Sequence, residues 1–208
     1  MELTTVTHVT VDGVMQGLGG PNEDRRGGFE RGGWIAPMTD EAGMAFLTGA
    51  YQRADAFLFG RRTYEMFAWS WGTGTWGSDQ GDNPISTALN TKPKYVASST
   101  LTDPAWANTT VLAGDLASAV RELKSAGGGE LQVHGSGALA RWLLANDLVD
   151  ELTLLVCPVI VGQGARLFPD HGPDLALDLV ATRAFPKGII LQTYRPAGLP
   201  RYASDPTK

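Results

Sequence analysis

Ala56-Phe57-Leu58-Phe59-Gly60-Arg61-Arg62-Thr63 reads as a short apolar strand that stops on glycine and passes through a basic pair into a helix over Thr63 to Trp69. The same order recurs downstream. Leu131 to His134 is a strand, Gly135-Ser136-Gly137-Ala138 is a tight turn, and the helix after it carries Leu139, Leu143 and Leu144 on one side. Strand, turn and helix in alternation is the pattern of an α/β domain built on parallel strands.

The flanking segments extend this pattern. Leu3 to Val11, rich in Thr and Val, predicts a first strand closed by Asp12-Gly13. Asp40 and Glu41 open a helix to Arg53 with Met44, Leu47, Ala50, Tyr51 and Ala54 at helical spacing. Ile85 to Asn90 predicts a short helical turn and Tyr95 to Ser98 a strand. Asp115 caps a helix that Gly127 to Gly129 stop, and Leu152 to Val156 is a further strand before Pro158. Beyond it, Leu175 to Arg183 and Gly188 to Tyr194 alternate like a hairpin. The expected fold is therefore α/β, with a mostly parallel central sheet flanked by helices and an antiparallel C-terminal hairpin.

Two segments fall outside regular elements. Val14 to Pro37 is glycine-rich and too long for an ordinary connector, so a lid or binding loop is expected. Trp69 to Pro84 is a second glycine-rich loop, carrying Trp69, Trp71 and Trp76, which serve as loop packing or as a substrate platform. One domain over residues 1–195 is expected, followed by a tail over 196–208 that is mobile or laid on a surface.

Composition narrows the function. The 208 residues are 43% hydrophobic and carry a formal net charge of −5, so the chain can bury a core and offers no basic field for nucleic acid or anionic lipid. A start without signal-peptide character and the lack of a long apolar run point to the cytoplasm. The single Cys157 lies in an apolar strand and reads as an inert thiol. His8, His134 and His171 are scattered, so no metal site is expected. No spacing supports a Ser-His-Asp or paired-carboxylate arrangement, which leaves cofactor chemistry.

Both glycine turns suit an anion. At Gly60-Arg61-Arg62-Thr63 a helix N-terminus is joined by two guanidiniums; the plain alternative is a solvated Arg pair beside a capping Thr. Gly135, Gly137 and Ala140 have G-x-G-x-x-G/A spacing, yet the next strand ends in Cys157-Pro158 without the acid of a Rossmann unit, so only the dinucleotide-binding turn is retained. Asp12 and Asp40, at the two ends of the Val14 to Pro37 loop, are candidate proton-handling carboxyls or, equally, a turn former and a helix cap.

Thr10-Val11-Asp12-Gly13-Val14-Met15-Gln16, Gly60-Arg61-Arg62-Thr63-Tyr64-Glu65, Val133-His134-Gly135-Ser136-Gly137, Leu148-Val149-Asp150-Glu151-Leu152 and Pro158-Val159-Ile160-Val161-Gly162-Gln163-Gly164 occur in this order. The series resembles the dihydrofolate-reductase-like superfamily, in particular the C-terminal reductase domain of the riboflavin-biosynthesis deaminase/reductase. The resemblance implies NADPH as cofactor, with Arg61, Arg62 and Thr63 on its adenosine-side phosphates, Ser98 and Ser99 near the adenosine, and Gly135, Ser136, Gly137 and Ala138 against the pyrophosphate and nicotinamide half. It implies hydride transfer to an imine-type or heterocyclic small molecule such as 5-amino-6-(5-phosphoribosylamino)uracil, with a pterin reductase or a non-catalytic nucleotide sensor as alternatives. Asp40 and Asp12 are then the catalytic candidates. A homodimer formed through the C-terminal hairpin, whose apolar face the earlier helices are poorly placed to cover, is also expected.

Overall fold

The computed structural model of the chain describes residues 1–73, 83–172 and 174–203. Its strands are β1 (Glu2–Thr10), β2 (Ala54–Gly60), β3 (Lys94–Ala97), β4 (Thr109–Leu112), β5 (Glu130–His134), β6 (Glu151–Cys157), β7 (Leu177–Ala184) and β8 (Ile190–Pro196). They form one sheet in the order β4-β3-β2-β5-β1-β6-β8-β7. Every pairing from β4 to β6 is parallel, and β8 pairs antiparallel with both β6 and β7. The expected parallel sheet with an antiparallel C-terminal hairpin is what the chain forms.

The central strands are apolar on both faces because both are covered. Along β2, Ala56 and Leu58 join a cluster with Val120, Leu139, Leu143 and Leu144, whereas Phe57 and Phe59 join Tyr51, Tyr64, Ile85 and Leu89 on the other face. The helices that supply these residues are α1 (Glu41–Arg53), α2 (Arg61–Phe67) and α3 (Pro84–Thr91) on one face, with α4 (Leu116–Ser125) and α5 (Gly137–Ala145) on the other. β1 alternates in the same way, sending Leu3 to the α4/α5 face and Val6 to the α1 face.

Several boundaries differ from the sequence expectation. α2 begins at Arg61, not Thr63, because the turn is complete at Gly60. The Trp69 loop starts as a wide helical turn over Ala68–Thr73; Trp69 is exposed, Trp71 packs against the α2/α3 cluster, and Trp76 lies outside the described residues. The tail continues the hairpin at first, with Ala197 N–H donating to Ala176 O and Ala176 N–H to Gly198 O.

The Val14 to Pro37 segment is fastened down. Val14 bridges Arg166, the Gln16 amide donates to the Asp24 and Arg26 carbonyls, Trp34 Nε1 donates to Gln16 O, and Phe29 is fully buried beside Val14 and Val161. Its glycines permit this closeness: a Cβ on Gly17 would stand 2.7 Å from the Phe29 ring.

Candidate functional site

The two glycine turns lie side by side at the C-terminal edge of the sheet. β2 and β5 are neighbours in the sheet, so Gly60 at the end of one and Gly135 just beyond the other emerge together. Ser136 Oγ accepts from Gly60 N–H at 3.1 Å, and Thr63 packs near Gly135. Gly135 (φ 61°) and Ser136 (φ 52°) are both left-handed, which turns the chain sharply from β5 into α5. For Ser136 that conformation costs energy, and such strain concentrates at functional turns.

Helix capping separates these turns from the rest. The N-terminal N–H groups of α1, α3 and α4 are met by the side chains of Asp40, Asn83 and Asp115. α2 and α5, which start at the glycine turns, have no side-chain cap. Their first N–H groups meet no capping side chain, and the dipole at such a helix end favours an anionic partner.

Arg61 and Arg62 are exposed at this edge. Arg61 donates from Nε to Glu65 at 2.7 Å and from Nη1 to Thr100 Oγ1 at 2.6 Å, which ties α2 to the turn after β3. In that turn Ser98 Oγ accepts from Thr100 N–H and Leu101 N–H, and Ser99 is exposed. Gly60, Arg61, Thr63, Ser98, Gly135 and Ser136 thus belong to one continuous edge. Gly137 and Ala138 form the first turn of α5, and a Cβ on Gly137 would collide with Met15 Sδ, so the loop after β1 reaches over this turn.

The two carboxyls are placed elsewhere. Asp12 accepts from Thr10 Oγ1 at 2.6 Å, Gly162 N–H at 2.7 Å and Val161 N–H at 3.1 Å. These donors, the Thr10 hydroxyl first, lower its pKa to about 2. Asp40 accepts from Gly43 N–H and Lys187 N–H, both at 2.8 Å, and those bonds also hold it below the usual carboxylate range. Asp12 fastens the segment after β6 and Asp40 joins α1 to the β7–β8 turn, so the structure ties them to different loops.

A group of polar side chains lies under α1, among them His134, which immediately precedes the glycine turn. Gln132 Nε2 donates to Ala50 O at 2.9 Å and to the Glu130 carboxylate, so its Oε1 is turned to His134 Nε2 at 2.8 Å. Both partners of the amide nitrogen are pure acceptors, which makes His134 Nε2 the donor. The His134 ring stacks on Tyr51 with centroids 4.0 Å apart. Burial, reinforced by the neighbouring His8, lowers the His134 pKa to about 3. Cys157 is buried and its thiol pushed up to about 12, in keeping with an inert side chain.

Among solved structures the chain is similar to a candidate riboflavin biosynthesis protein of Shewanella sp. PV-4, with TM-score 0.69 and 21% identity over 95% of this chain and 99% of that one. It is also similar to a pyrimidine reductase-like protein of Corynebacterium diphtheriae, with TM-score 0.62, 15% identity and coverage of 94% and 92%. A third is the diaminohydroxyphosphoribosylaminopyrimidine deaminase/5-amino-6-(5-phosphoribosylamino)uracil reductase of Thermotoga maritima, with TM-score 0.61 and 16% identity; here 94% of this chain covers 56% of that one. The shared fold is the dihydrofolate-reductase-like one. The uncharacterized protein YyaP of Bacillus subtilis (strain 168) is 26% identical over 189 residues, 89% of this chain and 90% of the relative. The RibD C-terminal domain family matches residues 2–191, and the chain belongs to that family.

Proposed function

We propose that the protein is an NADPH-dependent reductase of a small heterocyclic or imine-type substrate, resembling 5-amino-6-(5-phosphoribosylamino)uracil reductase. The observation that carries this reading is the hydrogen bond from Gly60 N–H to Ser136 Oγ, which joins two uncapped helix N-termini into one anion-accepting edge. Two such sites side by side, with exposed guanidiniums at one end, fit a dinucleotide bearing an extra phosphate. Arg61, Arg62 and Thr63 would hold the adenosine-side phosphates, Ser98 and Ser99 would flank the adenosine, and Gly135 to Ala138 would take the pyrophosphate and nicotinamide half. Bound there, the cofactor supplies the hydride; the protein's part is to orient the substrate and keep bulk water from the reacting bond.

In this reading Asp12 and Asp40 hold loops. A carboxylate kept ionised by backbone N–H donors is a poor proton source near neutral pH, so the substrate's proton comes from solvent or from another group of the cleft. The test is turnover: NADPH oxidation measured with the aminopyrimidine and with dihydrofolate. Oxidation with either supports a reductase, and NADPH binding with no oxidation favours a nucleotide sensor on the same fold.

A further inference from the structure

The ladder between β1 and β5 ends at Val6 beside His134; Gly135 N–H still donates to Val6 O at 3.3 Å, and then the chain leaves the sheet for α5. β1 runs on. His8 and Thr10 remain paired with β6, at Leu155 and Cys157, but have no β5 partner. A notch therefore opens on that side of β1, directly below the glycine turns. Strand alternation puts His8 on the same face as Val6 and His134, the face roofed by α1.

On this face of the notch two polar side chains are already paired, whereas Thr7 Oγ1, on the opposite face of β1, is buried without a partner among the described residues. His134 gives its N–H to Gln132, and Thr10 Oγ1 bonds Asp12 and the Val14 N–H. His8 differs: among the described residues its imidazole makes no hydrogen bond, although the residue is half-buried. A neutral imidazole has one donor and one acceptor, and in His8 both are open to a partner from outside the chain.

We infer that His8 is the polar group of the cleft that touches the substrate, its N–H donating to the carbonyl oxygen or imine nitrogen of the bond being reduced. This rests on the reductase reading above. The substrate carbon takes the hydride from the reduced nicotinamide, the π pair moves onto nitrogen or oxygen, and that atom takes a proton from solvent while His8 stays neutral. Burial, which lowers the His8 pKa to about 4, suits it to donate without carrying charge. The neighbouring His134, and Tyr51 stacked on it, are likewise neutral at neutral pH, because burial lowers the pKa of the first and raises that of the second.

His8→Leu and His8→Gln test the assignment, since glutamine keeps an N–H donor. With the compound that the wild type reduces, His8→Leu is expected to lower kcat/KM by ~10- to 100-fold, the range for leaving a developing charge without its donor. NADPH affinity should stay within about two-fold, and His8→Gln should recover most of the loss. A second readout needs no turnover: the ring nitrogen resonances of His8 in the NADP⁺ complex should move when the aminopyrimidine or dihydrofolate is added. Unchanged kinetics in His8→Leu, or His8 resonances that no member of this pair moves, would overturn the assignment. A wild type that binds no NADPH would instead overturn the reductase reading itself.

Discussion

Arg61 and Arg62 are adjacent in sequence but differently placed. Arg61 already contacts Glu65 and Thr100, whereas Arg62 makes no hydrogen bond or ion pair among the described residues, so its guanidinium is the freer of the two. Charge-assisted contacts to a phosphate are worth ~1.5 to 3 kcal/mol each, about ten-fold or more in affinity. Arg62→Ala should therefore weaken NADPH binding at least ~10-fold with little effect on NADH, and the double change with Arg61→Ala should weaken it further. Fluorescence titration with both nucleotides checks this; equal losses would mean that the pair serves the fold. The histidines of β1 and β5 set a second expectation. Their folded pKa values, about 4 for His8 and about 3 for His134, lie below the ordinary value of 6.5, so the unfolded chain binds more protons between these limits. Stability from this source is complete above pH ~6.5 and is lost as pH falls toward 4 and then 3. Glu151, raised by burial, works in the opposite sense. Urea midpoints should fall between pH 7 and pH 4.5, with a shallower fall in His134→Phe; parallel slopes in the two proteins would contradict the assignment. None of this burial is visible in a sequence where the three histidines look scattered, because it arises only when β5 pairs beside β1 under α1. The long-range bonds of Asp12 to Val161 and Gly162 are hidden for the same reason, although Asp12-Gly13 as a turn is plain from local chemistry.

Among the elements, α1 shows how a residue can be legible while its role is not. Asp40 is marked as an N-cap by its position before the apolar periodicity, and it caps Gly43; its second bond, to Lys187 in the β7–β8 turn, is tertiary. Asparagine keeps one acceptor oxygen for the Gly43 cap, but its amide NH2 cannot replace the second oxygen that accepts from Lys187 N–H. Asp40→Asn should hence retain turnover while lowering the melting temperature modestly through the lost Lys187 bond, and Asp40→Ala, which loses the cap as well, should lower it further. A fall in turnover of ~10²- to 10⁴-fold in Asp40→Asn would show instead that the carboxyl is a positioned acid. β4 was not legible: Thr109–Leu112 is a four-residue edge strand, largely half-buried, and so short that it shows almost no periodicity. α3 is longer than the expected turn, starting at Pro84 after the capping Asn83, a local signal that the sequence does contain. The capping difference between α1, α3 and α4 and the two helices at the glycine turns could be suspected from residue types, but it acquires meaning only when β2 and β5 lie together.

For the whole molecule, alternation of strand and helix indicated a parallel sheet, and the C-terminal pattern indicated a hairpin. The strand order was beyond reach, because nothing local states that β5 inserts between β1 and β2. The hairpin remains the least covered part. β7 is exposed along its whole length, with Leu179 at 56% and Val180 at 45%, and it presents an open edge. We expect a homodimer through this hairpin; light scattering should give twice the 22.2 kDa of one chain, and a mass near 22.2 kDa at micromolar concentration would contradict it. The claim that the two glycine turns form one nucleotide site can be examined by amide hydrogen exchange with and without NADPH. Exchange should slow together at residues 60–63, 98–100 and 135–138, because one ligand spans all three. Protection at only one of these segments, or at none, would contradict a single site built from both turns.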